Sequence, residues 1–347
     1  MDGQLIKFDD IFGQSAAIEA LTTAYRLDRL PHALIFAGPI GVGKGTTARA
    51  LSGLFLCEKQ KDTSPCGKCE SCRSFDAGTH PDYHLIFRQL VRLEKSDSKA
   101  RDLAADVIRT YLIDKAGMKS VVGVGKVFVI EEAELMSTSA QNVLLKTLEE
   151  PAGRTLIILL TDQPESLLPT IRSRSRLVRF ASLDSKTVRS QLEKRGISKE
   201  KSAAAAMVAE GSLGLALKWL EDGVVERAGE LFRLLGDAID GKPVPNLQPW
   251  LKSAADSYSE TQIARDKQTS ADQSKREGLI LYLKLAAQYL RGRMRDFAGD
   301  PVALEQLCAG IDAVVKAEGY VDSNVTIALV LQQFSGAVER AVGAGAA

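Results

Sequence analysis

Nine residues, Gly38-Pro39-Ile40-Gly41-Val42-Gly43-Lys44-Gly45-Thr46, have the types and spacing of a phosphate-binding loop. Gly38, Gly41 and Gly43 permit backbone conformations that turn successive N–H groups toward oxygen anions. A following helix adds its positive end, and Lys44 can reach the outer phosphates. The loop departs from G-x-x-x-x-G-K-[ST] at one place, because Gly45 stands where a hydroxyl normally touches Mg2+. Thr46 follows and is expected on an inner phosphate. ATP or ADP is thus the expected ligand, with Mg2+ placement weakened.

A pair of carboxylates, Glu131-Glu132, follows the apolar run Val127-Phe128-Val129-Ile130. P-loop ATPases set an acid on Mg2+ at such a strand end, often with a neighbouring Glu that polarises water. Glu131 is one methylene longer than the usual Asp and would crowd the metal, so the pair reads as a degenerate form of that element. Two acids after an apolar strand also suit a solvated strand end.

Cys57, Cys66, Cys69 and Cys72 lie in C-x8-C-x2-C-x2-C spacing, with Pro65, Gly67 and Lys68 supplying turns. In a reducing compartment such clustering favours a metal over disulfides, and sulfur at all four corners of a tetrahedron leaves no open position for water. The expected metal is structural Zn2+. His80 and His84 lie close enough in sequence to rival the cysteines as ligands, and Cys308, standing alone, is expected to be a buried apolar residue.

These groups need a frame. Ala33 to Ala37 reads as a buried strand feeding the loop, and Ala48, Leu51, Leu54 and Phe55 mark the helix behind it. Tyr83 to Phe87, Lys126 to Ile130 and Thr155 to Leu160 read as further strands; helices are expected over 104–113 and 136–150, the second stopped by Pro151. Residues 94–99 are charged and read as loop. Strands alternating with helices predict a parallel sheet with ligands at its carboxyl edge. Beyond Phe180 the chain turns helical, with a break at Pro243, Pro245 and Pro249 and a polar stretch, 253–275, that reads as mobile.

Composition narrows the function classes. The 347 residues carry 45 basic and 44 acidic side chains, net +1, so no bulk field announces nucleic acid and any DNA contact must be local or shared. Residues 1–10 lack a signal-peptide pattern, and no stretch approaches the roughly 18 apolar residues of a membrane span. A cytoplasmic protein is expected.

Together these elements resemble the clamp-loader branch of the AAA+ ATPases. The resemblance runs from about Leu30 to Arg179 and rests on Leu30-Pro31-His32-Ala33-Leu34-Ile35-Phe36, the knuckle Pro65 to Cys72, Gly78-Thr79-His80-Pro81-Asp82, Asn142 to Pro151 and Leu167 to Ser175. It implies an α/β fold: an AAA+ P-loop parallel-sheet domain with a four-cysteine zinc knuckle, a small helical lid and an all-α C-terminal collar. The expected boundaries are 1–181 (zinc module 57–72), 182–222 and 223–347.

The resemblance also implies a hetero-oligomeric ring, pentameric and built with gamma/tau and delta subunits, that uses ATP to place a sliding clamp on primer-template DNA. Non-motor subunits of that family lend an arginine to a neighbour's ATP site from a Ser-Arg-Cys motif. That motif here reads Ser173-Arg174-Ser175, making Arg174 the expected finger acting in trans. Asp162, at the sensor-1 position near Thr161, and Leu215, where motor subunits carry arginine in the sensor-2 motif, both point to a weakened hydrolase. A non-motor subunit is expected, with a gamma/tau-type motor and a P-loop nucleotide kinase as rivals; the kinase rests on the resemblance of Gly41 to Thr46 to adenylate kinase loops and on the four-cysteine zinc lids some of those enzymes carry.

Overall fold

The computed structural model describes residues 5–91, 102–266, 269–323 and 325–343. The charged stretch 94–99 lies outside them.

Two compact units share the chain, one of residues 1–191 with 210–215 and one of residues 192–209 with 216–347. The first is built on a five-stranded parallel sheet of β1 (Ala33–Ala37), β2 (Tyr83–Ile86), β3 (Lys126–Ile130), β4 (Thr155–Thr161) and β5 (Arg176–Arg179), in the order β2-β3-β4-β1-β5. Every residue of β1, β3 and β4 is buried. Alternation divides their side chains between two cores. Ile35, Phe128, Ile130, Ile157 and Leu159 face one layer with Leu144, Leu148 and Ile171; Leu34, Phe36, Val127, Val129, Leu156 and Ile158 face the other with Leu21, Leu51, Leu54 and Phe75.

The helices covering the second face are α1 (Ser15–Arg26), α2 (Lys44–Leu56) and α3 (Glu70–Asp76). On the first face lie α4 (Ala105–Ile108), continued through a π turn over Arg109–Ile113 into α5 (Asp114–Gly117), then α6 (Thr138–Glu149) and α7 (Pro169–Arg174). The Ser137 hydroxyl accepts the Ala140 N–H to start α6, and Pro151 follows its end. β5 has no counterpart in the sequence reading. Its outer residues are arginines and only Val178 is buried.

The second unit is helical. It contains α9 (Lys199–Val208), α11 (Val224–Ile239), α12 (Leu247–Arg265), α13 (Ala271–Arg293), α14 (Pro301–Asp322) and α15 (Ile327–Gly343), while α8 (Ser185–Glu193) and α10 (Leu213–Glu221) run through the unit boundaries. The expected mobile stretch is corrected: residues 253–265 and 271–275 are helix. Their buried face is made of small side chains, Ala254, Ala255 and Ser259, and Arg265 meets the fully enclosed Asp222 carboxylate at 2.5 Å. Pro249 sits in the first turn of α12, where its missing N–H costs nothing. Cys308 is exposed rather than buried, because the phase of α14 turns its neighbour Leu307 inward. No single described helix is long and apolar enough to cross a membrane.

Candidate functional site

The carboxyl ends of β1, β3 and β4 carry the phosphate loop and its neighbouring acids. β1 runs into Gly38, whose N–H is held by Thr161 O of β4 at 3.2 Å. Gly41 and Gly43 have φ of 75° and 106°, conformations that a side chain would strain, and α2 starts immediately afterwards at Lys44. Strand, loop and helix thus have the geometry of an anion site at a helix N-terminus.

Lys44 does not project freely from that loop. Its ammonium donates to Gly38 O at 2.5 Å and to Pro39 O at 2.7 Å. Burial depresses its pKa, against the opposing pull of Asp162 and Glu134. Gly45 is exposed, and a Cβ there would meet only Leu160 Cδ1, at 3.9 Å; Thr46 is half-buried beside it.

The acids behave differently from one another. Glu131 ends the strand, its N–H bonded to Ile86 O. Glu132 adopts a left-handed conformation, φ 49°, and its carboxylate meets Arg88 Nε at 3.0 Å. Glu134, which the sequence reading passed over, lies in the field of Lys44 together with Asp162. Burial raises its pKa, with the Thr161 hydroxyl opposing and the charges of Asp162 and Glu132 reinforcing. Glu134 Oε2 and Asp162 Oδ1 are buried without hydrogen-bond partners. Two signals could have found the missed groups. Glu134 is a third acid in one turn, and Arg88 follows the carboxyl end of a parallel strand, where such sheets place functional groups.

The segment Gly211–Leu215 presses onto the phosphate loop. Gly214 N–H donates to Gly41 O at 3.0 Å, and Ser212 Oγ accepts the Leu215 N–H at 3.0 Å. A Cβ on Gly214 would lie 2.9 Å from Gly41 O, and one on Gly41 would lie 2.2 Å from Ser212 Oγ. The residue of this segment that meets the loop is therefore Gly214, one before Leu215, and the contact requires glycine on both sides.

Arg174 ends α7, remote in sequence from the loop. Its Nε and Nη2 meet Glu149 Oε1 at 2.7 and 2.5 Å, and Nη1 donates to Thr170 O at 3.1 Å. Among the described residues, no ion pair involves Arg172, Arg176 or Arg179.

The four knuckle cysteines converge. Their sulfur atoms all lie within 4.8 Å of one another, with Cys57 Sγ 4.0 Å from Cys69 Sγ and Cys66 Sγ 3.9 Å from Cys72 Sγ. Zn–S bonds of about 2.3 Å in a tetrahedron put sulfurs about 3.8 Å apart, whereas a disulfide needs about 2.05 Å. Backbone N–H groups of Lys68 and Cys69 point at Cys66 Sγ and hold its pKa down to about 6, and Cys72 N–H points at Cys69 Sγ. Burial pushes the Cys57 and Cys72 thiols up. The donor set fits a metal that accepts four thiolates.

His80 and His84 stand outside this cluster. His80 is buried, with Nδ1 accepting the Asp82 N–H at 3.1 Å and Nε2 2.9 Å from Ser71 Oγ, which donates to Leu56 O. That pattern ties the knuckle to the start of β2. His84 stacks on Phe128, and burial lowers its pKa to about 4.

The family model described as DNA polymerase III, delta subunit, matches residues 13–184. The chain is 38% identical over 143 residues to DNA polymerase III subunit delta-prime of Pseudomonas aeruginosa, covering 41% of each chain. It is 32% identical over 185 residues to that of Bacillus subtilis, covering 53% of each, and 33% identical over 230 residues to DNA polymerase III subunit tau of Escherichia coli, covering 65% of this chain and 34% of tau. The matched stretch thus spans between a third and about half of the relatives' own lengths. A DNA polymerase III gamma subunit-related protein from Thermotoga maritima is similar in structure, with TM-score 0.48 and 16% identity, covering 93% of this chain and 99% of that one. Residues 13–184, with the phosphate loop, knuckle and Arg174 helix inside them, are thus the part of the chain that matches the DNA polymerase III delta-subunit family model and is similar to DNA polymerase III delta-prime subunits.

Proposed function

We propose that this chain is a non-motor, delta-prime-like subunit of a bacterial clamp loader, helping to place the sliding clamp on primer-template DNA in a ring with gamma/tau and delta subunits. Arg174 supplies an arginine finger to the ATP site of a neighbouring subunit. The residues up to 181 are the nucleotide-fold domain, 182–222 the lid and 223–347 the collar, and the protein works in the cytoplasm. The knuckle holds structural Zn2+ through Cys57, Cys66, Cys69 and Cys72.

One contrast carries the reading: the guanidinium at the end of α7 keeps unengaged N–H donors at a half-exposed position, while Lys44 is spent on Gly38 O and Pro39 O of its own loop. A fixed planar cation suits the charge that develops on a transferred phosphoryl group. ATP or ADP bound at Gly38, Gly41, Gly43, Lys44, Gly45 and Thr46 would have to displace those two carbonyls. Without a hydroxyl at position 45, and with Glu131 and Glu132 at the strand end, Mg2+ would be poorly held and hydrolysis poorly supported.

The test is a complex reconstituted with gamma and delta subunits. Arg174→Ala is expected to assemble normally and to lose most DNA-stimulated ATP turnover, and the isolated chain to hydrolyse little ATP. Unchanged turnover by the variant complex removes the finger. Robust turnover by the isolated chain that Lys44→Ala abolishes would instead support a gamma/tau-type motor, the rival reading to which the match to tau corresponds.

A further inference from the structure

We infer that Glu149 is the positioning residue for the Arg174 finger, an inference that rests on the function proposed above. Glu149 is the last residue of α6, where the helix leaves its carbonyl ends unpaired and a carboxylate is unfavourable. An acid at that place needs a compensating partner. Arg174 is that partner: both Nε and Nη2 converge on Glu149 Oε1. The arginine side chain is 35% exposed and the glutamate 48%, so the pair sits at the surface.

The arrangement fixes the plane of the guanidinium. Two anchors come from Glu149 and a third from Thr170 O, a carbonyl of α7 that also accepts the Ser173 hydroxyl. A further approach of Nη1 to Ser173 Oγ, at 3.5 Å, is at the limit of a hydrogen bond. Of the five N–H donors of an arginine, three are thereby engaged and, apart from the marginal approach to Ser173, two remain for a phosphate. An untethered arginine would sample many rotamers and deliver those donors in the right plane only part of the time. Glu149 comes from a different helix, so it sets the finger against the sheet-bound body of the domain rather than against its own turn.

The role is read in the reconstituted complex, with Arg174→Ala, Glu149→Ala, Glu149→Gln and the double variant Glu149→Ala/Arg174→Ala. Lost orientation lowers turnover at saturating ATP, expected about tenfold for Glu149→Ala, and leaves the ATP KM of the neighbouring site unchanged. Glu149→Gln keeps an acceptor oxygen and is expected to fall about threefold. In the double variant Glu149→Ala is expected to add nothing to the loss caused by Arg174→Ala, since nothing is left to orient. Wild-type turnover in Glu149→Ala alongside an impaired Arg174→Ala overturns the positioning role and spares the finger. An equal further loss on the Arg174→Ala background makes Glu149 structural and overturns it too. Wild-type turnover in Arg174→Ala removes the finger itself, and the positioning role with it.

Discussion

Removing the metal proposed for the knuckle tests the clearest site in the chain, and its cost can be worked from the connectivity. A metal held by Cys57, Cys66, Cys69 and Cys72 clips a loop running from residue 57 to residue 72. Closing a loop of that length withdraws about 3 kcal/mol of entropy from the unfolded chain, by the relation used for covalent cross-links. For a unit of 150–250 residues each kcal/mol moves the melting temperature by about 2–4 °C, so metal removal should lower it by about 6–12 °C.

The loop does not stand alone. Cys57 ends α2, Cys72 lies in α3, and Ser71 bridges Leu56 O and the buried His80, so a loosened knuckle also loosens the second core layer around Phe75. The drop should therefore fall at or above the upper end of that range. The assays are zinc content by mass spectrometry, expected near one per chain, and calorimetry with and without a strong chelator. Co2+ substituted for zinc should show the absorption of a tetrahedral thiolate site, and Cys69→Ser should lose it. Protein purified from cells without zinc, whose melting is indifferent to both Cys69→Ser and chelator, would refute the loop-closure reasoning.

Three other outcomes are expected. Gly45→Ser has room for its Cβ and restores a hydroxyl at the Mg2+ position, so calorimetric titration should show Mg-ADP bound about fivefold more tightly, a gain of about 1 kcal/mol; no change would mean that the Lys44 contacts alone limit binding. Gly214→Ala drives a Cβ against the backbone of Gly41 and should cost about 1–3 kcal/mol in urea unfolding, so an unmoved midpoint would count against the contact. Glu134 has a folded pKa above its unfolded one, so wild type is penalised above the folded value and relieved as pH falls through it. Glu134→Gln should raise the melting temperature at about pH 8 and lose that gain toward about pH 4; a gain independent of pH would assign the effect to packing.

Much of this was legible in the chain. β1 and the interiors of β3 and β4 are continuous apolar runs because both faces of a parallel sheet are covered, and such runs need no partner to be read. The cysteine spacing likewise encodes its own tetrahedron. β5 was not legible, since Arg176-Leu177-Val178-Arg179 is a strand only by virtue of pairing with β1 at the sheet edge. The helix over 247–265 hid for a similar reason: beyond Leu247 and Leu251 its buried stripe uses Ala and Ser, which hydropathy does not distinguish from loop. The phase error at Cys308 is one step on a helix wheel, where a single position turns inside to outside. What sequence could not supply at all were partners distant in the chain. Glu149 and Arg174 lie 25 positions apart, and the opposition of Gly41 to Gly214 depends on how the segment 211–215 turns back to the loop.

The charges around the phosphate loop and those at the end of α7 are arranged on opposite principles. Around the loop three groups have an internal claimant: Lys44 has Gly38 O and Pro39 O, Glu132 has Arg88, and Gly41 is covered by Gly214. A nucleotide entering there must break lysine contacts to backbone carbonyls and approach Asp162 and Glu134, whose buried oxygens already lack donors. At α7 the guanidinium is tied to Glu149 and Thr170 O at a partly exposed position and keeps further N–H donors beyond those bonds, so a phosphate can be met without giving them up. Binding free energy at the loop is reduced by the contacts given up, whereas at Arg174 the orientational entropy has been withdrawn in advance by Glu149. On the function proposed above, that difference lets a subunit with a phosphate loop of its own serve better as the donor of a charge to nucleotide held elsewhere.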